Sequence, residues 1–113
     1  MQEHRDLKDR TRQFALAIVK FYQEISKTSE AQILGRQLLR SGTSVGANTR
    51  SAFRGRSPRE FKAKLGVVIE EADESAFWLD LLSDANIIEK SHTELLKKEA
   101  EELVAIFVTI VKR

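Results

Sequence analysis

Cysteine is absent from the chain, which excludes disulfides and thiolate metal sites and fits a cytoplasmic protein. Proline occurs once, at Pro58, so little interrupts helical backbone across 113 residues. Long hydrophobic runs are missing too. Stretches such as Ala105–Val111 are far too short to span a bilayer, and no membrane association is expected. The first ten residues, MQEHRDLKDR, are charged and hold no apolar segment, so no signal peptide is expected. Length and composition, with 42% hydrophobic and 32% charged residues, predict one soluble domain over residues 1–113.

Catalytic parts are scarce as well. The histidines are His4 and His92 alone. Glu89 and His92 have the Glu-x-x-His spacing of di-iron carboxylate bundles, but such sites need two copies with further glutamates on facing helices. Gly42-Thr43-Ser44-Val45-Gly46 lacks the Gly-Lys-Ser/Thr ending of a phosphate-binding loop. Without cysteine and with so little histidine, Cys-His and Ser-His-Asp catalysis lack their components. No enzyme, metal site or cofactor is expected.

What is abundant is charge, and it is unevenly placed. Between Arg36 and Lys64 stand eight basic residues and one acidic, Glu60. Between Glu70 and Glu102 stand eleven acidic and three basic. Such polarity marks either an anion-binding surface or pairing of the two regions within or between subunits. At about 100° per residue, Arg36, Arg40, Thr43, Ala47, Arg50 and Arg54 share one narrow helix sector. Leu34, Leu38, Val45 and Ala52 lie diametrically opposite and form the predicted core seam. Guanidinium forks suit phosphate and carboxylate.

Four amphipathic segments account for the chain. The first runs from about Asp6 to Ile25, with Leu7, Phe14, Ile18, Phe21 and Ile25 inward. The second follows an expected capping box at Ser29–Gln32 and runs to about Arg54, where Gly55-Arg56 ends it. The third starts at Ser57-Pro58-Arg59-Glu60, buries Phe61, Leu65, Val68, Ala72, Ala76 and Leu79, and ends near Asn86. A further capping box at Ser91–Glu94 is expected to open the fourth, through Leu96, Leu103, Ile106, Phe107 and Ile110. Short connections predict an all-α, antiparallel up-down-up-down four-helix bundle.

Two faces remain. Gly35, Leu39, Gly42, Gly46 and Phe53 flank the core side of the second helix, which the heptad spacing carries straight through its glycines. Small residues there permit close approach of a neighbour, either inside the bundle or from another subunit. On the third helix Val67, Phe77, Trp78 and Leu81 are expected to point away from the core among Glu70, Glu71 and Glu74. Alternatively Trp78 caps the core edge. An outward aromatic face predicts self-association, with Gly42, Gly46, Val67, Phe77, Trp78 and Leu81 as interface candidates.

Residues Gln37–Asn48, QLLRSGTSVGAN, resemble the second-helix signature of the bacterial four-helix bundle family also called the 23S rRNA intervening-sequence protein family. Phe61, Lys64-Leu65 and Glu71–Leu82 resemble its third-helix signature, a Glu-Ala-x-Glu-(Ser/Thr)-x-(aromatic)-Trp-Leu pattern. The similarity spans nearly the whole chain. Members often carry an acidic residue shortly after the Asn, where this chain has Thr49-Arg50-Ser51-Ala52-Phe53-Arg54, a more basic version. The resemblance implies a ring, typically a homopentamer. Within the family, the accessory variability protein of diversity-generating retroelements is a basic pentameric barrel associated with nucleic acid and a reverse transcriptase.

Two functions are therefore expected as alternatives. In the first, a non-enzymatic oligomeric accessory protein binds nucleic acid, RNA above all. Arg36, Arg40, Arg50 and Arg54, with Arg56, Arg59, Lys62 and Lys64 near the turn, contact its phosphates. In the second, a purely structural or protein-binding oligomer pairs those arginines with Glu70, Glu71, Asp73 and Glu74 of neighbouring subunits.

Overall fold

The apolar periodicity resolves into four helices in the structure, a computed structural model that describes residues 2–113 apart from the His4 side chain. They are α1 (Gln2–Glu24), α2 (Ser29–Ala52), α3 (Pro58–Asp84) and α4 (Lys90–Val111), with no strand among the described residues. Helices of this length run roughly 33–40 Å, and the bundle they build measures 44 × 21 × 19 Å.

Consecutive helices run antiparallel. Gly35 of α2 approaches Tyr22 and Ile25 near the end of α1, Gly42 approaches Ile18, and Gly46 approaches Thr11 and Ala15. Between α2 and α3 the Ser41 and Ser75 hydroxyls bond at 2.9 Å inside the core. Lys97 of α4 reaches Asp80 of α3 at 2.8 Å. The circle closes more loosely between α1 and α4, where Arg10 grips Glu99 with two 2.7 Å bonds and Arg113 meets Glu3 at 3.1 Å.

The core follows the expected seams. Leu7, Phe14, Ile18 and Ile25 of α1 and Leu38, Val45 and Ala52 of α2 are buried. So are Leu65, Val68, Ala72, Ala76 and Leu79 of α3 and Leu103, Phe107 and Ile110 of α4. Phe21, Leu34, Phe61, Leu96 and Ile106 pack half-buried around them.

Helix ends depart from expectation at two of three starts. Ser57 caps α3 as expected, its hydroxyl accepting the Glu60 amide at 3.1 Å, while the Glu60 carboxylate accepts the Arg56 amide. The boxes at Ser29 and Ser91 do not form. The N-cap residues are Thr28 and Glu89, neither with a side-chain cap bond, so Ser29 opens α2 and Ser91 lies inside α4. Gln32 is drawn elsewhere, donating to the Ser26 carbonyl at 2.8 Å and accepting from Tyr22 at 2.9 Å. It fastens the turn to α1 rather than capping α2. After α3, Asn86 takes a left-handed φ of 60°, and the Asn86 and Ile87 amides bond back to Ser83 and Leu82, both at 3.0 Å. This Schellman closure stops α3 and starts α4 early.

Candidate nucleic-acid interface

The exposed sector of α2 carries the arginines, but the fold gives them different surroundings. Arg40 is held by its own chain. It donates to Glu71 of α3 at 3.0 Å and also bonds Glu74. Desolvation pulls its pKa down, and the charges and hydrogen bonds of both glutamates outweigh that, leaving it above the ordinary arginine value. Glu74 also accepts the Trp78 indole N–H at 3.1 Å. Arg36 donates to the Gln32 carbonyl one turn back along α2.

Arg50 and Arg54 are different. The tight turn after Ala52 folds α3 back beside them, and Arg50, Arg54, Arg56 and Lys64 line one groove of about 830 Å³. Ala47, Ser51, Gly55 and Ala63 give it small side walls, and Glu60 is the acid among its lining residues. Arg59 and Lys62 are exposed on the first turns of α3 without lining that groove. Among the described residues, none of Arg50, Arg54, Arg56, Arg59, Lys62 and Lys64 enters an ion pair. Arg10, Arg40, Lys97 and Arg113 all do.

Lys8 and Arg12 were missed in the sequence. They come from α1 to join Arg50 around an adjacent cleft of about 440 Å³ that also includes Asp9, over a floor of Ala15, Thr43, Gly46 and Ala47. The signal available was their four-residue spacing, which puts both cations on one face of α1. The glycine row of α2 meanwhile serves the bundle. Gly42 is buried beneath Ile18, and Gly46 sits against the α1 backbone at Thr11. Gly42 is thus covered by α1 and offers no surface to another subunit.

The outer face of α3 is also divided. Phe77 is 55% exposed and Val67 39%. Leu81 and Trp78 are half-buried, and Trp78 packs against the core as an edge cap, its ring meeting Phe77 edge-on at 5.0 Å. The expectation that all four point away from the core is thereby corrected. The indole bond to Glu74 and the adjacent core draw Trp78 inward.

No helix among the described residues is long and apolar enough to cross a membrane, and none of those residues forms an acidic or histidine cluster suited to a metal ion.

These features define an antiparallel four-helix bundle with an unpaired basic groove at one end. More particularly, the chain belongs to the 23S rRNA-intervening sequence protein family, whose model matches residues 3–109. It is similar to a crystal structure from Bacteroides thetaiotaomicron described as a protein of unknown function from the S23 ribosomal protein family. The two are 32% identical with a TM-score of 0.90, over 97% of this chain and 98% of the other. No curated protein matches the chain.

Proposed function

We propose that this protein is a non-enzymatic, cytoplasmic accessory protein that binds nucleic acid, RNA above all, through the groove of Arg50, Arg54, Arg56 and Lys64. The observation that carries this reading is the gathering of unpaired cations at one end of the bundle. Arg50, Arg54, Arg56 and Lys64 line one groove with Glu60 as the acid among its lining residues, and among the described residues none of the four enters an ion pair. Unmatched, closely spaced guanidiniums gain most from an extended polyanion, which replaces dispersed counterions at several points at once. Lys8 and Arg12 lengthen the track beyond Arg50. Arg36 lies about 21 Å along α2 from Arg50, and Arg40 is occupied, so neither belongs to the central contact.

Self-association accompanies this function. The exposed Phe77 and Val67, set among Glu70 and Glu74 on α3, form a surface suited to a second copy, and the family resemblance favours a homopentameric ring. A ring would repeat the groove and raise the local field. The alternative, arginines consumed by intersubunit pairing, keeps Glu70 and Asp73 as acidic partners, while Glu71 and Glu74 already hold Arg40. A reverse transcriptase is the protein partner to try first.

Fluorescence anisotropy with labelled single-stranded RNA, structured RNA and duplex DNA over a salt series tests the reading. Binding is expected to fall linearly in log salt, the slope counting neutralised phosphates. Arg50→Glu with Arg54→Glu is expected to abolish binding and leave the oligomer intact. Lys8→Glu with Arg12→Glu should lower the slope by about two at most. A broken oligomer in the Arg50/Arg54 variant would favour the structural alternative. Undiminished binding in an intact oligomer would remove the groove from consideration.

A further inference from the structure

The cations at the basic end stand on both flanks of α2. That helix packs between α1 and α3, which lie diagonally across the bundle from each other. The groove of Arg50, Arg54, Arg56 and Lys64 runs between α2 and α3, and the cleft of Lys8 and Arg12 runs between α1 and α2. Ala47 and Arg50 line both, so the two depressions lie at the same level of the bundle, one on either side of α2. The ridge between them is low. Thr43, Gly46, Ala47 and Ser51 are its small residues, and the exposed Arg50 rises from it. Arg54 follows one turn on, about 6 Å along the axis. Asp9 and Glu60 are the acids among the lining residues, and among the described residues no aromatic lines either depression.

Unpaired bases are held by stacking on aromatic rings, and neither depression supplies one. A duplex needs none, because its bases stack on one another. It presents two phosphate rows with a groove between them, and two cationic flanks separated by one helix match two rows. Duplexes differ in the groove they offer. The B-form major groove, about 12 Å wide and about 8.5 Å deep, takes a helix that stands proud of its fold. α2 is held between α1 and α3 and offers only its outer side. The A-form minor groove is wide, shallow and lined with 2′-hydroxyls. Thr43 donates its own proton to the Leu39 carbonyl at 2.7 Å, which leaves its oxygen to accept from such a hydroxyl. Resting on the nucleic-acid reading above, we infer that the basic end takes double-stranded RNA across its minor groove. The ridge of α2 faces the groove, Lys8 and Arg12 meet one phosphate row, and Arg56 and Lys64 meet the other.

The test compares a short RNA duplex with one of its strands alone, chosen not to fold, and with the DNA duplex of the same sequence at equal salt. Fluorescence anisotropy is expected to show the RNA duplex binding about ten-fold more tightly than either, because it alone engages both flanks. Lys8→Glu with Arg12→Glu, which removes one flank, is expected to erase that margin. Arg50→Glu with Arg54→Glu should weaken all three ligands. Hydroxyl-radical footprinting of the RNA duplex on the unmodified protein should protect riboses of both strands across one minor groove, so the outcome does not depend on a variant folding.

Single-stranded RNA bound as tightly as the duplex, with protection confined to one strand, overturns the two-sided seat. A DNA duplex bound as tightly as the RNA duplex overturns the minor-groove assignment. If Arg50→Glu with Arg54→Glu still weakens binding in either case, the groove stands without the duplex seat. If that double variant leaves every ligand unchanged, the groove and the duplex seat fall together.

Discussion

At Gly42 a single hydrogen atom decides how closely two helices pack. A Cβ built there would lie 2.7 Å from Cγ1 and 2.8 Å from Cγ2 of Ile18, a fully buried residue that has nowhere to go. Gly66 of α3 is the contrast, since a Cβ there meets nothing within 4 Å. Gly42→Ala should therefore lower stability by about 1–2 kcal/mol, overpacking outweighing the gain in helix propensity. Gly66→Ala should raise it by about 0.5–1 kcal/mol. Thermal melts of the two variants check the pair, and equal shifts would contradict this account of the α1–α2 seam. Heptad spacing through the glycines predicted the continuous helix. Whether the small face met α1 or another subunit depended on Ile18, more than twenty residues upstream, which no local pattern contains.

Helix starts show the same division between local and distant chemistry. Ser57-Pro58-Arg59-Glu60 forms its expected cap because every participant is local and Pro58 fixes the entry backbone. At the other two starts a competitor intervenes. Tyr22 and the Ser26 carbonyl claim Gln32, and the Schellman closure at Asn86 shortens the approach to α4. Ser57→Ala is accordingly expected to cost about 1 kcal/mol. Ser29→Ala and Ser91→Ala should each stay within about 0.5 kcal/mol of the parent. Urea denaturation of the three variants distinguishes this pattern from three equal capping boxes. Between α2 and α3, Arg40 with Glu71 and Glu74 separates the basic end from the aromatic outer face of α3. Pairs this exposed contribute little stability. Their consequence is to remove one arginine and two glutamates from the charge available to partners.

Across the whole molecule, the segregation visible as a basic middle and an acidic second half becomes a basic end at the α2–α3 turn and a remainder of mixed charge. The long, narrow bundle leaves Phe77 on its outer surface, away from that end. Replacing it should separate assembly from nucleic-acid contact. Phe77→Lys is expected to convert an oligomer into a monomer in sedimentation equilibrium, with its helical circular-dichroism spectrum unchanged. An unchanged oligomer would move the contact to another face. A monomer that still binds RNA with a reduced salt slope would show that the ring multiplies the groove rather than creating it.

The sequence by itself determined four helices, their antiparallel order, the apolar seams between them and the family. The first three rest on periodicity, short connections and the Ser57 cap, which act over a few residues, and the family rests on the resemblance carried by the α2 and α3 signatures. It also marked one sector of α2 as basic. Only the tertiary structure decided which cations of that sector were available. Arg40 is satisfied by glutamates 31 and 34 residues away, while Arg50 and Arg54 gain Arg56 and Lys64 as neighbours. Lys8 and Arg12 join from the neighbouring helix α1. Electrostatic pairing and groove formation depend on distance in space, and at this surface the fold brings together residues that the chain keeps apart.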